Sequence, residues 1–176
     1  MKELLRRLKL IDSLTTTLTT SRAEFVNRLN EITDEGSTGM MSNTFDIFSS
    51  SKNEFKGQVN LDGFKIKRGR RFFDTNMNSA VAEGILVEDS EGLIVTTEIN
   101  GFNNFFIILY ILLIVLYSIF TLSFLINSKQ KGLFLFPFIL LHGSIMFAVP
   151  YFMMRRSVKS LKYELEREFF YLTKIK

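Results

Sequence analysis

The sequence predicts an α+β membrane protein. A two-helix transmembrane hairpin is inserted in a small domain made of an antiparallel β-meander and flanking amphipathic helices. Three observations lead there. Two uncharged runs of 22 residues, Phe105–Ile126 and Leu133–Met154, lie side by side. Residues 54–100 alternate apolar and polar with period two. The segment after the second run repeats apolar residues at helical spacing.

Residues 1–100 form the N-terminal extramembrane region. Lys2, Arg6, Arg7 and Lys9 interrupt the leucines at the start, so no uninterrupted apolar core of a signal peptide is present there. Leu4, Leu8 and Ile11 instead form an apolar stripe beside the basic residues. The stripe is read either as a helix lying in the membrane interface or as one packed on the domain. The β-branched run Leu14–Thr20 predicts a strand. Ser21 and Glu24 have the spacing of a capping box, and Phe25, Val26, Leu29 and Ile32 follow at helical spacing. A helix over about 22–33 is expected.

Residues 34–52 are rich in Ser, Gly, Asn and Asp and read as a loop. Four strands follow across about 54–100. Leu61-Asp62-Gly63 and Asp89-Ser90-Glu91-Gly92 supply two of the turns. Such a meander has one face on a core and one face wet. Glu83 shares strand parity with Val81, Ile85 and Val87, which points it toward the apolar side unless it lies at an edge or a bulge.

The first span is assigned to 102–126, the connection to 127–132 and the second span to 133–154. A 22-residue helix rises about 33 Å, enough for a hydrocarbon core of about 30 Å. Lipid leaves backbone groups unsatisfied, so two adjacent runs joined by a short polar loop must be antiparallel helices. Lysines and arginines near the span ends set the orientation. Arg155, Arg156, Lys159 and Lys162 directly follow the second span, against Lys129 and Lys131 in the loop. Both termini are therefore expected in the cytoplasm.

Residues 155–176 carry Val158, Leu161, Leu165, Phe169 and Leu172 on one stripe, an amphipathic helix expected to pack back on the sheet. Lys162 with Glu166, and Glu164 with Arg167, have the spacing of intrahelical ion pairs.

Two features stand out as candidate sites. Lys65, Lys67, Arg68, Arg70 and Arg71 form a basic cluster followed by Phe72 and Phe73. The cluster suits contact with anionic lipid headgroups, and equally a solvated strand face with the phenylalanines in the core. His142, the sole histidine, falls near mid-span and is a candidate intramembrane polar contact. A hydroxyl on the other helix, such as Ser118 or Thr121, would satisfy a neutral imidazole. A proton path needs several relays, and neither span contains Asp, Glu, Lys or Arg.

The chain has no cysteine, which excludes disulfides, a thiolate nucleophile and a cysteine-ligated zinc site. It contains no phosphate-binding glycine loop and no nucleophile elbow. No enzymatic activity, cofactor or metal is expected. Lys and Arg are in excess over 1–9, 52–71 and 155–176, and Asp and Glu over 10–51 and 72–100. Such alternation speaks against nucleic acid as a partner. The expected partners are the lipid bilayer and either another protein or further copies of the chain. The expected role is a membrane-anchored interaction or scaffold protein. The alternatives are an anionic-lipid-sensing or membrane-remodelling module and a small channel or transport subunit.

Overall fold

The computed structural model describes residues 1–39, 53–69, 79–90, 92–127 and 136–174. They form two compact units, one comprising Met1–Phe102 with Met154–Lys176 and the other Asn103–Met153.

The first unit is an α+β domain around one six-stranded mixed sheet. Helix α1 (Lys2–Arg7) leads into strand β1 (Ile11–Leu18), helix α2 (Arg22–Glu31) and the short strand β2 (Thr33–Glu35). Strands β3 (Phe55–Asn60), β4 (Gly63–Arg68), β5 (Val81–Asp89) and β6 (Gly92–Asn100) follow. The spatial order is β1-β6-β5-β4-β3-β2. The four-stranded meander expected from period two is its centre. Strand β1 adds to β6 in antiparallel register, from Ile11 opposite Asn100 to Leu18 opposite Leu93.

The other edge departs from expectation. Thr33–Glu35 pairs in parallel with Phe55–Gly57, so the sheet is mixed, and residues assigned to a loop begin with a strand. A polar three-residue segment has no apolar rhythm to announce it. Phe45, Ile47 and Phe48 of that expected loop lie outside the described residues.

Helix α2 starts as its capping signal requires. The Ser21 hydroxyl accepts from the Glu24 amide at 3.3 Å. The Glu24 carboxylate accepts from the Thr20 hydroxyl at 2.9 Å, where a full capping box would have it reach the Ser21 amide. The Arg22 amide finds Glu88 of β5 instead, at 3.0 Å.

The core lies on one face of the sheet, beneath α2 and the distal part of the last helix. That helix, α4 (Phe136–Lys174), runs unbroken for 39 residues, where the sequence suggested a span and a separate tail helix. The change from apolar to charged residues at Met154-Arg155 leaves the helical backbone intact. Val158, Leu161, Leu165, Phe169 and Leu172 are all buried, as their spacing predicts. Phe169 and Phe25 meet edge-on with ring centroids 5.5 Å apart, and Phe64 of β4 joins them at 6.0 Å from Phe169. The buried Ser157 hydroxyl accepts from the Ala80 amide at 2.9 Å, tying α4 to the start of β5.

Strand β5 has the expected period and the opposite phase. Ala82, Gly84 and Leu86 face the core, whereas Ile85 and Val87 are 64% and 50% exposed. Glu83 is therefore exposed because its face is the wet one. It occupies neither an edge nor a bulge, since β5 is paired on both sides. The large β-branched residues lie outside here, and parity read from them is inverted.

The second unit contains helix α3 (Asn104–Asn127) and the proximal part of α4. Both helices are long and apolar enough to cross a membrane, with mean hydropathy reaching 2.8 over an 18-residue stretch within Asn104–Phe124 and 1.6 over one within Phe136–Leu172. They run antiparallel. Tyr110 stacks on Phe147, Tyr117 lies beside His142, and Phe124 lies beside Phe136. Residues 128–135, which hold the expected connection and the first residues of the expected second span, lie outside the described set.

Candidate functional site

Strand alternation divides the basic cluster. Lys65 and Lys67 project from the face of the sheet away from the core, and Arg68 from the core face. Lys65 pairs with Glu83 across the β4–β5 ladder at 2.6 Å. Lys67 is 2% exposed, and its ammonium donates to the Gly39 carbonyl at 3.3 Å. Arg68 Nη1 donates to Glu164 Oε1 of α4 at 2.6 Å. Arg70, Arg71, Phe72 and Phe73 lie outside the described residues. The three described cations thus face different surroundings and do not share one surface.

Glu164 is well covered, with 14% of its side chain exposed. Burial pushes its carboxyl above the usual range, opposed first by Arg68, then by the Ser160 hydroxyl and Arg167, while Glu54 pushes it further up. The intrahelical pairs expected on this helix are replaced by tertiary ones. Arg68 takes Glu164, and Lys162 reaches Asp12 of β1 at 3.0 Å. Arg167 reaches Glu54 at 3.2 Å, besides its own neighbour on the helix, Glu168, at 2.9 Å.

His142 has its polar contact with a different residue from those anticipated. Its Nδ1 and the Tyr117 hydroxyl share a hydrogen bond of 2.6 Å. Ser118 and Thr121 instead donate back to Ile114 and Tyr117 carbonyls of their own helix, at 2.7 and 2.8 Å. A Cβ on Gly143 would come 3.2 Å from the Tyr117 ring, so the missing side chain admits that ring to the α4 backbone.

Sequence reasoning did not find a groove lined by positive charge. A groove of about 600 Å³ runs between the α1–β1 turn and α4. Five cations line it, Arg6, Lys9, Arg155, Lys159 and Lys162, against two carboxylates, Asp12 and Glu166. Its lining residues all belong to the α+β domain. Arg155, Lys159 and Lys162 recur at helical spacing on α4, and that repeat was the one available signal. Lys9 is distant in sequence and joins them only through the fold.

Helix α1 is held over this region by charge. Lys2 and Arg6 each contact Glu98 of β6 at 2.9 Å. The hydrogen bond from Lys2, with Arg6 adding to it, lowers the Glu98 carboxyl below its ordinary value despite opposing burial. No α1 residue is buried, and Leu4 is 60% exposed. Ile11 of the expected stripe belongs to β1 and is buried. The domain therefore leaves the apolar side of α1 uncovered.

Strand β1 is an edge. Among the described residues it pairs with β6 alone, and all eight of its residues are in continuous register. It carries no proline and no lysine.

No protein-family model matches the chain, and no curated protein is similar to it.

Proposed function

We propose that this protein is a membrane-anchored, non-enzymatic interaction protein. Its two apolar helices cross the bilayer as a hairpin, both termini are cytoplasmic, and its α+β domain receives a partner strand along β1. The observation that carries the reading is the β1 edge. An eight-residue strand in unbroken register, without the lysines, prolines or bulges that usually blunt an edge, is a template for strand addition. The insertion of the apolar helices within the domain supports anchoring. Core residues come from both sides of the insertion, so the domain is tethered at two points of the chain.

The test uses the whole chain in lipid nanodiscs prepared directly from its membrane, with native mass spectrometry of the intact complex. A stoichiometric second protein or a defined oligomer is expected. Thr15→Lys with Thr17→Lys, on the exposed side of β1, should dissolve it while leaving the domain folded. A monomer without any protein partner, or a complex indifferent to both lysines, overturns the reading. Single cysteines at Ser90 and Ser128 test the orientation in a chain free of other thiols. Labelling of Ser90→Cys from outside intact cells reverses it.

A second reading, recognition of anionic lipid, is supported by a surface other than the cluster singled out in the sequence: the basic groove beside α4.

A further inference from the structure

We infer that the groove between the α1–β1 turn and α4 is a binding site for a phosphomonoester-bearing phospholipid headgroup, held by Lys9, Arg155 and Lys159. The inference deepens the lipid-recognition reading and rests on the membrane placement of the two apolar helices.

The first argument is charge. Of the five cations lining the groove, Arg6 is matched by Glu98 and Lys162 by Asp12. Lys9, Arg155 and Lys159 form no ion pair with another described residue. Glu166 is the one remaining carboxylate of the lining. Like charges converging without partners raise the local potential, and a multivalent anion relieves it. A dianionic phosphomonoester offers several acceptor oxygens to these donors, whereas the single negative charge of a phosphodiester answers fewer of them.

The second argument is rigidity. The groove wall is fixed where α4 meets the β1 and β6 ends. A Cβ on Gly101 would lie 2.6 Å from Val158 Cγ2 and 3.0 Å from the Met154 carbonyl, so the chain passes against α4 without a side chain between. The Gly101 amide donates to the Leu10 carbonyl at 2.9 Å, locking the α1–β1 turn to the same point. Arg155 and Lys159 on one side and Lys9 on the other are thus held apart by backbone.

The third argument is Lys9 itself. It is the only non-glycine residue with positive φ among those described, at 58°, and it ends α1 where glycine or asparagine ordinarily stands. A lysine at that position is unfavourable for the fold, and strain of this kind concentrates at binding sites. Here it places an ammonium at the groove.

The fourth argument is position along the helix. Arg155 immediately follows the apolar stretch of α4, and Lys159 is one turn later. A lipid of the adjoining leaflet would present its headgroup at this level without leaving the bilayer, which favours a lipid over a soluble phosphate.

The test places the purified chain in phosphatidylcholine nanodiscs doped with phosphatidic acid and measures retained lipid by native mass spectrometry. Each basic residue near an anionic surface contributes about a fivefold factor in binding, so Lys9→Gln, Arg155→Gln and Lys159→Gln together should reduce phosphatidic acid retention by roughly a hundredfold. Lys9→Gly guards against misfolding as the cause, since glycine relieves the positive φ. It should lose about fivefold in retention while the domain becomes no less stable. Lys65→Gln, outside the groove, should change nothing. Equal retention by the parent, the triple variant and Lys9→Gly overturns the inference. Soluble glycerol phosphate binding to the groove, with no preference for phosphatidic acid in the disc, also overturns the headgroup assignment. A chain that stays in solution without any disc refutes the membrane placement first, and is distinguished from failure of the groove by that behaviour.

Discussion

Replacing Arg68 by methionine separates a structural role for this residue from a lipid-binding one. The guanidinium and Glu164 are 2.6 Å apart, with 29% and 14% of their side chains exposed. Arg68→Met leaves a largely buried carboxylate with the Ser160 hydroxyl still donating to it at 3.2 Å, and with Arg167 engaged by Glu54 and Glu168. Removing one partner of a buried pair costs about 3–5 kcal/mol, and partial exposure screens this to about 2 kcal/mol. The sign with pH is opposite to that of an ordinary ion pair. Burial holds the Glu164 carboxyl above its usual 4.5, so its favourable contribution is complete below that value. That contribution is lost as pH rises through the folded-state value. Without Arg68 the folded value climbs further, so the variant should lose stability at neutral pH and regain it on acidification. Arg68→Met with Glu164→Met should return to within about 1 kcal/mol of the parent, because an apolar pair carries no desolvation cost. The cysteine-free chain supplies the assay. Ala82, fully buried in β5, becomes a single cysteine whose labelling in urea reports domain opening in nanodiscs. Equal stability of Arg68→Met and parent at neutral pH, or a double variant no better than the single, refutes the argument.

Two further outcomes are expected. Phe169→Ala removes a fully buried ring that meets Phe25 and Phe64 edge-on, and should cost about 3–5 kcal/mol in the same labelling assay. A small loss would mean that the distal part of α4 does not close the core. Glu98→Gln should release α1, raising trypsin cleavage at Arg6 and Arg7 while the sheet stays protected. Because the Glu98 carboxyl is lowered, its contribution is present above the ordinary 4.5 and lost as pH falls through the folded value. Acid should therefore mimic the substitution, by under about 1 kcal/mol for so exposed a contact. Cleavage unchanged by both treatments would show that α1 is held by something else.

The parts of the fold legible in the sequence are those with a local period. The stripe from Val158 to Leu172 follows directly from 3.6-residue spacing, the four central strands from period two, and the apolar runs from unbroken length. The capped start of α2 was equally plain. What escaped depends on distant partners. The pairing of β1 with β6 joins residues with no local mark of each other, and β2 is too short and polar to carry a rhythm. The phase of β5 was inverted because Ile85 and Val87 outweigh Ala82 and Gly84 in any apolar count, although Gly84 leaves room for the Phe64 ring packed against it. Contiguity misled in the basic segment, where neighbours in sequence diverge across a pleat. The groove escaped for the converse reason, since Lys9 meets Arg155 and Lys159 only after the whole domain has formed.

The core is completed by residues on both sides of the apolar insertion, and this fixes an order of events during synthesis. Strands β1 to β6 leave the ribosome with their core face covered by α2 alone, because Leu161, Leu165 and Phe169 have not yet been made. Between them come the two apolar helices, which on the proposed membrane placement enter lipid before the distal half of α4 returns to the sheet. On that placement, folding of the domain is contingent on delivery to the bilayer. A chain that then misses the bilayer would keep an incompletely covered apolar sheet, the kind of surface that chaperones and proteases recognise, and would be marked for removal by its own incompleteness.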